Sequence, residues 1–254
     1  MKLLLLSISL LLLVPNFLHI HLGETPKYDH IEKFDSSLSY INSVNELTHV
    51  ADSIAKSKHV SEGTLPYAII VSTIIRNRFY HGFSQYTLNE NWIAAMSEYF
   101  FGYGLASIVK PDDILKFKYG GCSQQTIVLM EVMKNKNIPY RSVGFPHHYA
   151  SELLIQGKWY YFDPNMEPSM SDSQRLETNW KGYADSLKKY YDRTHFADLD
   201  WKFGNNLRVV QGQVNAKVAT NARIFQTITH YLSRTLWLVP LILVFARKKN
   251  KVRT

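Results

Sequence analysis

Apolar sequence at both ends of the chain limits how much of it can form a folded body. Residues 3–14 consist only of leucine, isoleucine, valine and serine, and residues 236–246 contain no charged side chain. About 200 residues lie between these segments, which is enough for one domain with a sizeable core. The fold must therefore come from this central stretch, and the two ends need another explanation.

The N-terminal segment has the pattern of a secretory signal. Its apolar run follows Met1-Lys2, and its length and basic flank are those of a signal-peptide core. Residues 15–20 extend the run without a clear cleavage site of small residues. Residues 1–22 are therefore predicted to form either a cleaved signal peptide or a retained signal anchor.

The C-terminal segment, 224–246, is predicted to be a transmembrane helix. It reaches the roughly 20 residues of a membrane span only by including His230 and Arg234 near its outer end, where arginine can extend to the interface. The basic residues of 247–254 are typical of a cytoplasmic tail. This topology places the protein in the plasma (inner) membrane with its body extracytoplasmic or periplasmic. An amphipathic helix lying on the membrane surface is the alternative.

The formal net charge of +8 comes largely from the two ends. When Lys2 and the five basic residues of the tail are set aside, 23 basic and 21 acidic side chains remain. The body is therefore almost neutral, and the basic composition gives no reason to expect a nucleic-acid partner.

The chain has one cysteine, Cys122, and it stands where a thiol can react. It follows Gly120-Gly121 and begins a helical pattern over residues 122–133. The N–H groups and the dipole at the start of a helix favour a thiolate, and the glycines let a substrate come close. An inert buried cysteine is the competing interpretation. One cysteine excludes an intramolecular disulfide in this chain.

A β-hairpin is predicted downstream of the cysteine. Two segments rich in aromatic and aliphatic residues, 147–155 and 158–163, flank Gln156-Gly157. If the loop contains only these two residues, Ile155 pairs with Lys158 across the hairpin.

The loop length decides which histidine meets Asp163. With a loop of two residues, His148 shares a face with Asp163, one diagonal step away. A loop of three residues would bring His147 to that face instead. The two-residue loop, and therefore His148, is the preferred prediction.

Several short motifs follow one another along residues 111–168. They are Gly120-Gly121-Cys122 at a helix start, Asn137-Ile138-Pro139-Tyr140-Arg141 after that helix, a histidine four residues before Glu152, and Trp159-Tyr160-Tyr161-Phe162-Asp163-Pro164. This set resembles the core of the transglutaminase-like superfamily, whose papain-like Cys-His-Asp members include transglutaminases, peptidases and amidases. The resemblance implies an α+β fold in which a helix carrying the cysteine at its N-terminus packs on an antiparallel sheet.

The resemblance also implies roles for three residues. Cys122 would be the nucleophile, His148 its base, and Asp163 the group that orients the histidine. The oxyanion would bind the N–H of Cys122 and a second donor upstream, for which Trp92 and Tyr119 are the candidates.

No metal or cofactor is predicted from the sequence. One cysteine and a lone histidine pair do not make a metal site without further spaced ligands. The chain also has no phosphate-binding glycine loop, dinucleotide fingerprint or calcium loop.

The remaining segments are expected to surround this core. Residues 23–110 are predicted to be helical, with helices over 38–58, 65–77 and 91–103, and residues 169–222 form an extension with a helix over 176–191 and a possible strand at 207–210. These segments would shape the substrate cleft, and they contain no motif that identifies the substrate.

Two functions follow as expectations. The first is a membrane-tethered, extracytoplasmic thiol acyltransferase or amide hydrolase, either a cysteine-dependent peptidase or amidase or a protein-glutamine acyltransferase, with a protein or peptide-like substrate. The alternative is a catalytically silent transglutaminase-like module that serves binding or assembly in a cell-envelope system, such as surface polysaccharide or export.

Overall fold

A computed structural model describes residues 1–29, 33–180, 182–192 and 198–250. The predicted basic tail, 247–254, lies partly outside the described residues, at 251–254. The chain divides into two compact units, each assembled from separated stretches. The first unit comprises Met1–Thr25, Gln85–Ile108 and Ala219–Thr254, and the second comprises Pro26–Ser84 and Val109–Val218. The segment around residues 85–108 therefore groups with the two ends of the chain.

The helices and strands are named in chain order. The helices are α1 (Lys2–Leu13), α2 (Val44–Ser57), α3 (Leu65–Arg78), α4 (Leu88–Phe101), α5 (Pro111–Ile114), α6 (Cys122–Asn135), α7 (Glu177–Trp180), α8 (Ala184–Lys188), α9 (Leu199–Phe203), α10 (Thr220–Thr235) and α11 (Leu238–Asn250). The strands are β1 (Tyr140–Gly144), β2 (Tyr149–Ile155), β3 (Lys158–Phe162) and β4 (Val210–Gln211).

The second unit is built on one antiparallel sheet with the strand order β3-β2-β1-β4. Helix α6 packs against β1 and β2, and α2 and α3 pack against α6. A buried cluster on the sheet joins side chains of β1, β2 and β3 to the short helices α7, α8 and α9. The sheet is therefore covered by helices on both faces, and the α+β class predicted from the sequence is confirmed.

The β2–β3 hairpin has the predicted register. Ile155 pairs with Lys158, and the pairing continues to Ser151 opposite Phe162. The loop residues Gln156 and Gly157 have φ angles of 50° and 76°. Positive φ at both positions is the geometry of a type I′ turn, whose twist matches that of the flanking strands. The local turn therefore fixes the register of the strands that lead to His148 and Asp163.

Helix boundaries follow local capping signals more closely than the apolar pattern. The helix predicted over 38–58 begins at Val44, because the Ser43 side chain accepts a hydrogen bond from the Glu46 N–H. The helix predicted over 176–191 is divided into α7 and α8, and Gly182 between them has a φ of 72°.

The first unit contains α1, α4, α10 and α11. Among the described residues, no single helix has both the length and the apolar character needed to cross a bilayer. Thr220–Thr235 and Leu238–Ala246 meet that requirement only together, as a pair bent by 46°. The segment predicted as one helix, 224–246, is therefore two helices.

Candidate functional site

Cys122 is the first residue of α6, directly after Gly121, and it is buried. The N–H groups of a first helical turn have no backbone partner within the helix, so they can stabilise negative charge that develops beside it. Helix α6 lies against β2, where the Thr126 hydroxyl donates to the Tyr149 carbonyl oxygen at 3.2 Å. This packing holds the start of the helix close to the end of β2 from which His148 emerges.

His148 and Asp163 form a buried pair. The His148 Nε2 lies 2.6 Å from the Asp163 Oδ2, and both side chains are almost inaccessible to solvent. Cys122 lies close enough to His148 to help raise the pKa of its imidazole. Because Nε2 is engaged by the carboxylate, Nδ1 is the ring nitrogen left for the thiol. The structure therefore brings together the three residues that the sequence singled out, in the order Cys122, His148, Asp163.

Asp163 uses all of its accepting capacity. Its Oδ2 also accepts from the Tyr191 hydroxyl at 2.7 Å. Its Oδ1 accepts from the backbone N–H groups of Asn165 and Met166, both at 3.1 Å. Burial alone would raise the pKa of the Asp163 carboxyl, but His148 and these donors outweigh it and lower the pKa. Asp163 is therefore ionised at neutral pH and held in one orientation.

The charge of Asp163 acts on the histidine in turn. Burial alone would lower the pKa of His148, but the Asp163 carboxylate and Cys122 outweigh it and raise the pKa to about 9. The imidazole is therefore protonated at neutral pH.

His147 has a different environment. Its ring stacks on that of Trp201, with the centroids 3.9 Å apart and the planes 3° from parallel. Its backbone N–H donates to the Lys202 carbonyl oxygen at 3.0 Å. The ring of the adjacent His148 packs instead near the ring of Phe203, with the two centroids 5.0 Å apart. The two adjacent histidines, which lie just before β2, therefore contact different side chains of α9, Trp201 and Phe203.

Gln124, a residue that the sequence analysis did not select, holds a second segment at the start of α6. Its side chain exchanges two hydrogen bonds with the Ser84 backbone, both at 2.9 Å, and its Oε1 also accepts from the Gly121 N–H at 3.1 Å. The amide therefore fixes the loop that carries Phe83 beside the glycines. A glutamine three residues after a helix N-cap is a capping signal that could have identified it.

The ring of Phe83, which is 44% exposed, fills the space that a side chain on Gly121 would occupy. A Cβ atom on Gly121 would lie 2.6 Å from the Phe83 Cδ1 and 2.7 Å from its Cζ. Gly121 has an ordinary φ of −73°, so the restriction is one of space and not of backbone conformation.

The substitution Gly121→Ala is expected to lower the free energy of unfolding by about 1–3 kcal/mol, because of overpacking against Phe83. In a Phe83→Ala background the same change should cost much less. Chemical denaturation of the four proteins measures both costs. Gly144→Ala is the matched control, because the nearest atom to its Cβ would lie 3.6 Å away. Equal costs of Gly121→Ala in the two backgrounds would contradict this explanation.

The two oxyanion candidates lie in different units. Trp92 belongs to the first unit, where its indole N–H donates to the Ser233 carbonyl oxygen at 3.0 Å. Tyr119 belongs to the second unit and packs its ring against Tyr80 and Phe117, with centroids 5.6 Å and 5.5 Å away. Their role as oxyanion donors stays a prediction. The N–H of Cys122 remains the donor whose position follows from its place at the helix start.

Glu152 lies on the same face of β2 as His148 but in a separate charged cluster. Its carboxylate is fully buried and accepts from the Arg141 Nε at 2.7 Å and from the Gln211 Nε2 at 3.0 Å. Burial outweighs these contacts and raises the pKa of Glu152 to about 7. Because Gln211 belongs to β4, this cluster ties the edge strand to β1 and β2.

Over the described ranges, no group of three or more histidine, cysteine, aspartate and glutamate side chains could hold a metal ion. The chain matches no protein-family model, no curated protein and no solved structure. Its chemistry must therefore be argued from the site itself.

Proposed function

We propose that Cys122, His148 and Asp163 form a thiol acyl-transfer site of the transglutaminase-like type. The observation that carries this proposal is the buried His148 Nε2 to Asp163 Oδ2 contact of 2.6 Å, made by a histidine whose pKa is also raised by Cys122. The α+β fold, with the cysteine at the start of a helix packed on an antiparallel sheet, adds support.

The proposed reaction passes through an acyl-enzyme. In the resting site the Cys122 proton already lies on the His148 Nδ1, and the Cys122 thiolate attacks the carbonyl carbon of an amide. The tetrahedral oxyanion is stabilised by the Cys122 N–H at the positive end of α6. The imidazolium then protonates the leaving amine, and the C–N bond breaks to give a thioester. Water or a second amine resolves the thioester, with His148 accepting its proton.

The substrate in this proposal is a protein or a peptide-like amide, and the site is tethered to the plasma (inner) membrane outside the cytoplasm. The bent helix pair Thr220–Thr235 and Leu238–Ala246 supports the tether through its length and composition. Hydrolysis and transfer to an amine use the same first half-reaction. Both reactions require a reactive thiolate at Cys122, and that reactivity can be tested without a known substrate.

Iodoacetamide labelling tests the proposal, because the chain has only one cysteine. The rate is measured against pH on the full chain in detergent, for wild type, His148→Ala and His147→Ala. We expect His148→Ala to lower the rate at pH 7 by about tenfold, because an ordinary cysteine is only a few per cent thiolate at that pH. His147→Ala is the matched control and should retain the wild-type profile.

Two outcomes would overturn the proposal. One is a wild-type rate at pH 7 no higher than that of a cysteine in an unfolded peptide, which would favour a catalytically silent module. The other is an equal effect of the two histidine substitutions, which would show that His148 has no special relation to the thiol.

A further inference from the structure

The first unit has apolar side chains on its outside and polar side chains between its helices. In α1, which is described in full, Ser9 is the buried residue, at 6% exposure, while Leu10 and Leu11 beside it are 60% and 72% exposed. The Ser9 hydroxyl donates to the Trp237 carbonyl oxygen at 2.7 Å. A helix in water buries its leucines and exposes its serines, so α1 is packed in the opposite sense.

Helix α10 repeats this reversed pattern. Its buried side chains are the polar residues Gln226, Thr229 and Ser233, which share one face of the helix. Its outward side carries Ile228 and Tyr231, which are 53% and 66% exposed, together with the exposed Thr227 and Arg234. The two faces have exchanged the roles that they have in a water-soluble amphipathic helix.

Helix α4 meets the polar face of α10 with a buried asparagine. The Asn91 Nδ2 donates to the Thr229 Oγ1 at 2.9 Å, and its Oδ1 accepts from the Ser233 hydroxyl at 3.1 Å. The backbone of α4 is broken at Asn91, with φ −158° and ψ 78°. The Ser233 Oγ accepts from the Ile93 N–H just after the break, at 3.1 Å. In hydrocarbon, neighbouring helices must satisfy the backbone groups of a broken helix in this way.

The far end of α4 is aromatic and exposed. Tyr99, Phe100 and Phe101 are more than half exposed, and Tyr103 follows at 93% exposure. At the other end of α4, the Glu90 carboxylate accepts from the Thr87 N–H and hydroxyl, so it caps the helix. Aromatic side chains of this kind favour the interface between lipid and water.

From this reversed polarity we infer that the first unit, including α4, is embedded in a lipid bilayer. Exposed apolar surface that covers several helices marks an interaction surface, and hydrogen-bonded polar residues between the helices are the packing typical of helices in a bilayer. The bent pair of α10 and α11 supplies apolar length, and α4 packs on α10 through hydrogen bonds. In this arrangement the chain contacts the membrane through α4, in the middle of its sequence, as well as through its two ends.

Site-directed spin labelling tests this inference. Single cysteines replace Phe101 in α4, Ile228 in α10 and Ile242 in α11, in full-length Cys122→Ser protein reconstituted in phosphatidylcholine–phosphatidylglycerol vesicles. Tyr40, which is 59% exposed in the second unit, is the control position. All four side chains point outwards, so the labels need no repacking. We expect the labels at 228 and 242 to be several-fold more accessible to oxygen than to a water-soluble nickel complex, with the reverse at position 40. The label at 101, at the interface, should be intermediate between them.

Three results would overturn the inference. The first is a label at position 101 that behaves like the one at 40, which leaves only a terminal anchor in the membrane. The second is nickel accessibility at all four positions, which makes the first unit water-exposed. The third is low accessibility to both reagents at 101 and 228 at high lipid-to-protein ratios, which indicates a protein partner on these faces.

Discussion

Replacing Asp163 with asparagine is expected to lower the alkylation rate of Cys122 at pH 7 by about tenfold and any acyl-transfer rate by about 10⁴-fold. The carboxylate accepts four hydrogen bonds, two on each oxygen. An asparagine has one oxygen and one NH₂ group in place of the two carboxylate oxygens. The NH₂ group therefore faces two of the four donors and cannot accept a hydrogen bond from either.

The histidine can relieve this conflict only by changing its tautomer. If Nε2 of His148 loses its proton and accepts from the asparagine NH₂, Nδ1 must carry the proton instead. A protonated Nδ1 cannot take the proton of the Cys122 thiol, so the nucleophile is not activated. The rates in wild type and Asp163→Asn are compared by labelling at pH 7.

Tyr191→Phe is the control for this prediction. It removes one hydrogen bond to the Asp163 Oδ2 and leaves the carboxylate and its charge in place. We expect this variant to retain the wild-type labelling rate within a few-fold. Equal losses in Asp163→Asn and Tyr191→Phe would mean that the network positions the site only through its packing, and that the carboxylate has no separate role.

The pH dependence of stability gives a second readout of the same substitution. The pKa of His148 is raised from 6.5 to about 9, so proton binding stabilises the folded state. That contribution is complete below pH 6.5 and is lost as the pH rises to about 9. The free energy of unfolding of the wild type should therefore fall across this interval. In Asp163→Asn the fall should be much smaller, and urea unfolding at pH 6, 7.5 and 9 measures it.

The largest effect on stability is expected from Arg78, the last residue of α3. Its guanidinium is buried and donates to the carbonyl oxygens of Ile41, Leu115 and Phe117 at 3.1, 2.7 and 2.9 Å. Burial lowers the pKa of Arg78 to about 10, so it stays charged at neutral pH. One side chain thus joins α3 to the segment before α2 and to the segment that leads to the cysteine.

Arg78→Met is expected to lower the free energy of unfolding by about 3–5 kcal/mol, because three buried carbonyl groups lose their donor. Arg78→Lys should recover part of the loss, since an ammonium group supplies donors but not the planar fork of arginine. The measurement is denaturant unfolding of the full chain in detergent at pH 7. Arg208→Ala, an exposed arginine of the same unit, should change stability by no more than about 0.5 kcal/mol. A loss below about 1 kcal/mol in Arg78→Met would contradict the assigned role.

Features decided by neighbouring residues could be predicted from the sequence. The Gln156-Gly157 turn determined the hairpin register, because its type I′ geometry closes a two-residue loop with the twist of the flanking strands. That register carried the choice of His148 over His147, and the structure places His148 against Asp163. The predicted bounds of the helices over 38–58 and 176–191 were wrong, because they followed the apolar spacing and not the caps at Ser43 and Gly182. The α+β class and the three candidate residues of the site were therefore accessible without coordinates.

Features decided by distant segments required the tertiary structure. Tyr191 on Asp163, Gln124 on Ser84 and Arg78 on three carbonyl groups join residues that are far apart along the chain, and no local pattern relates them. The inward-facing polar side chains of the first unit also required the tertiary structure. An apolar stripe on α10 predicts only that one face differs from the other, and the buried contacts of Asn91 decide that the polar face points inwards. The spacing of apolar residues shows that a helix has two unlike faces. The element that packs against the helix decides which of the two is buried.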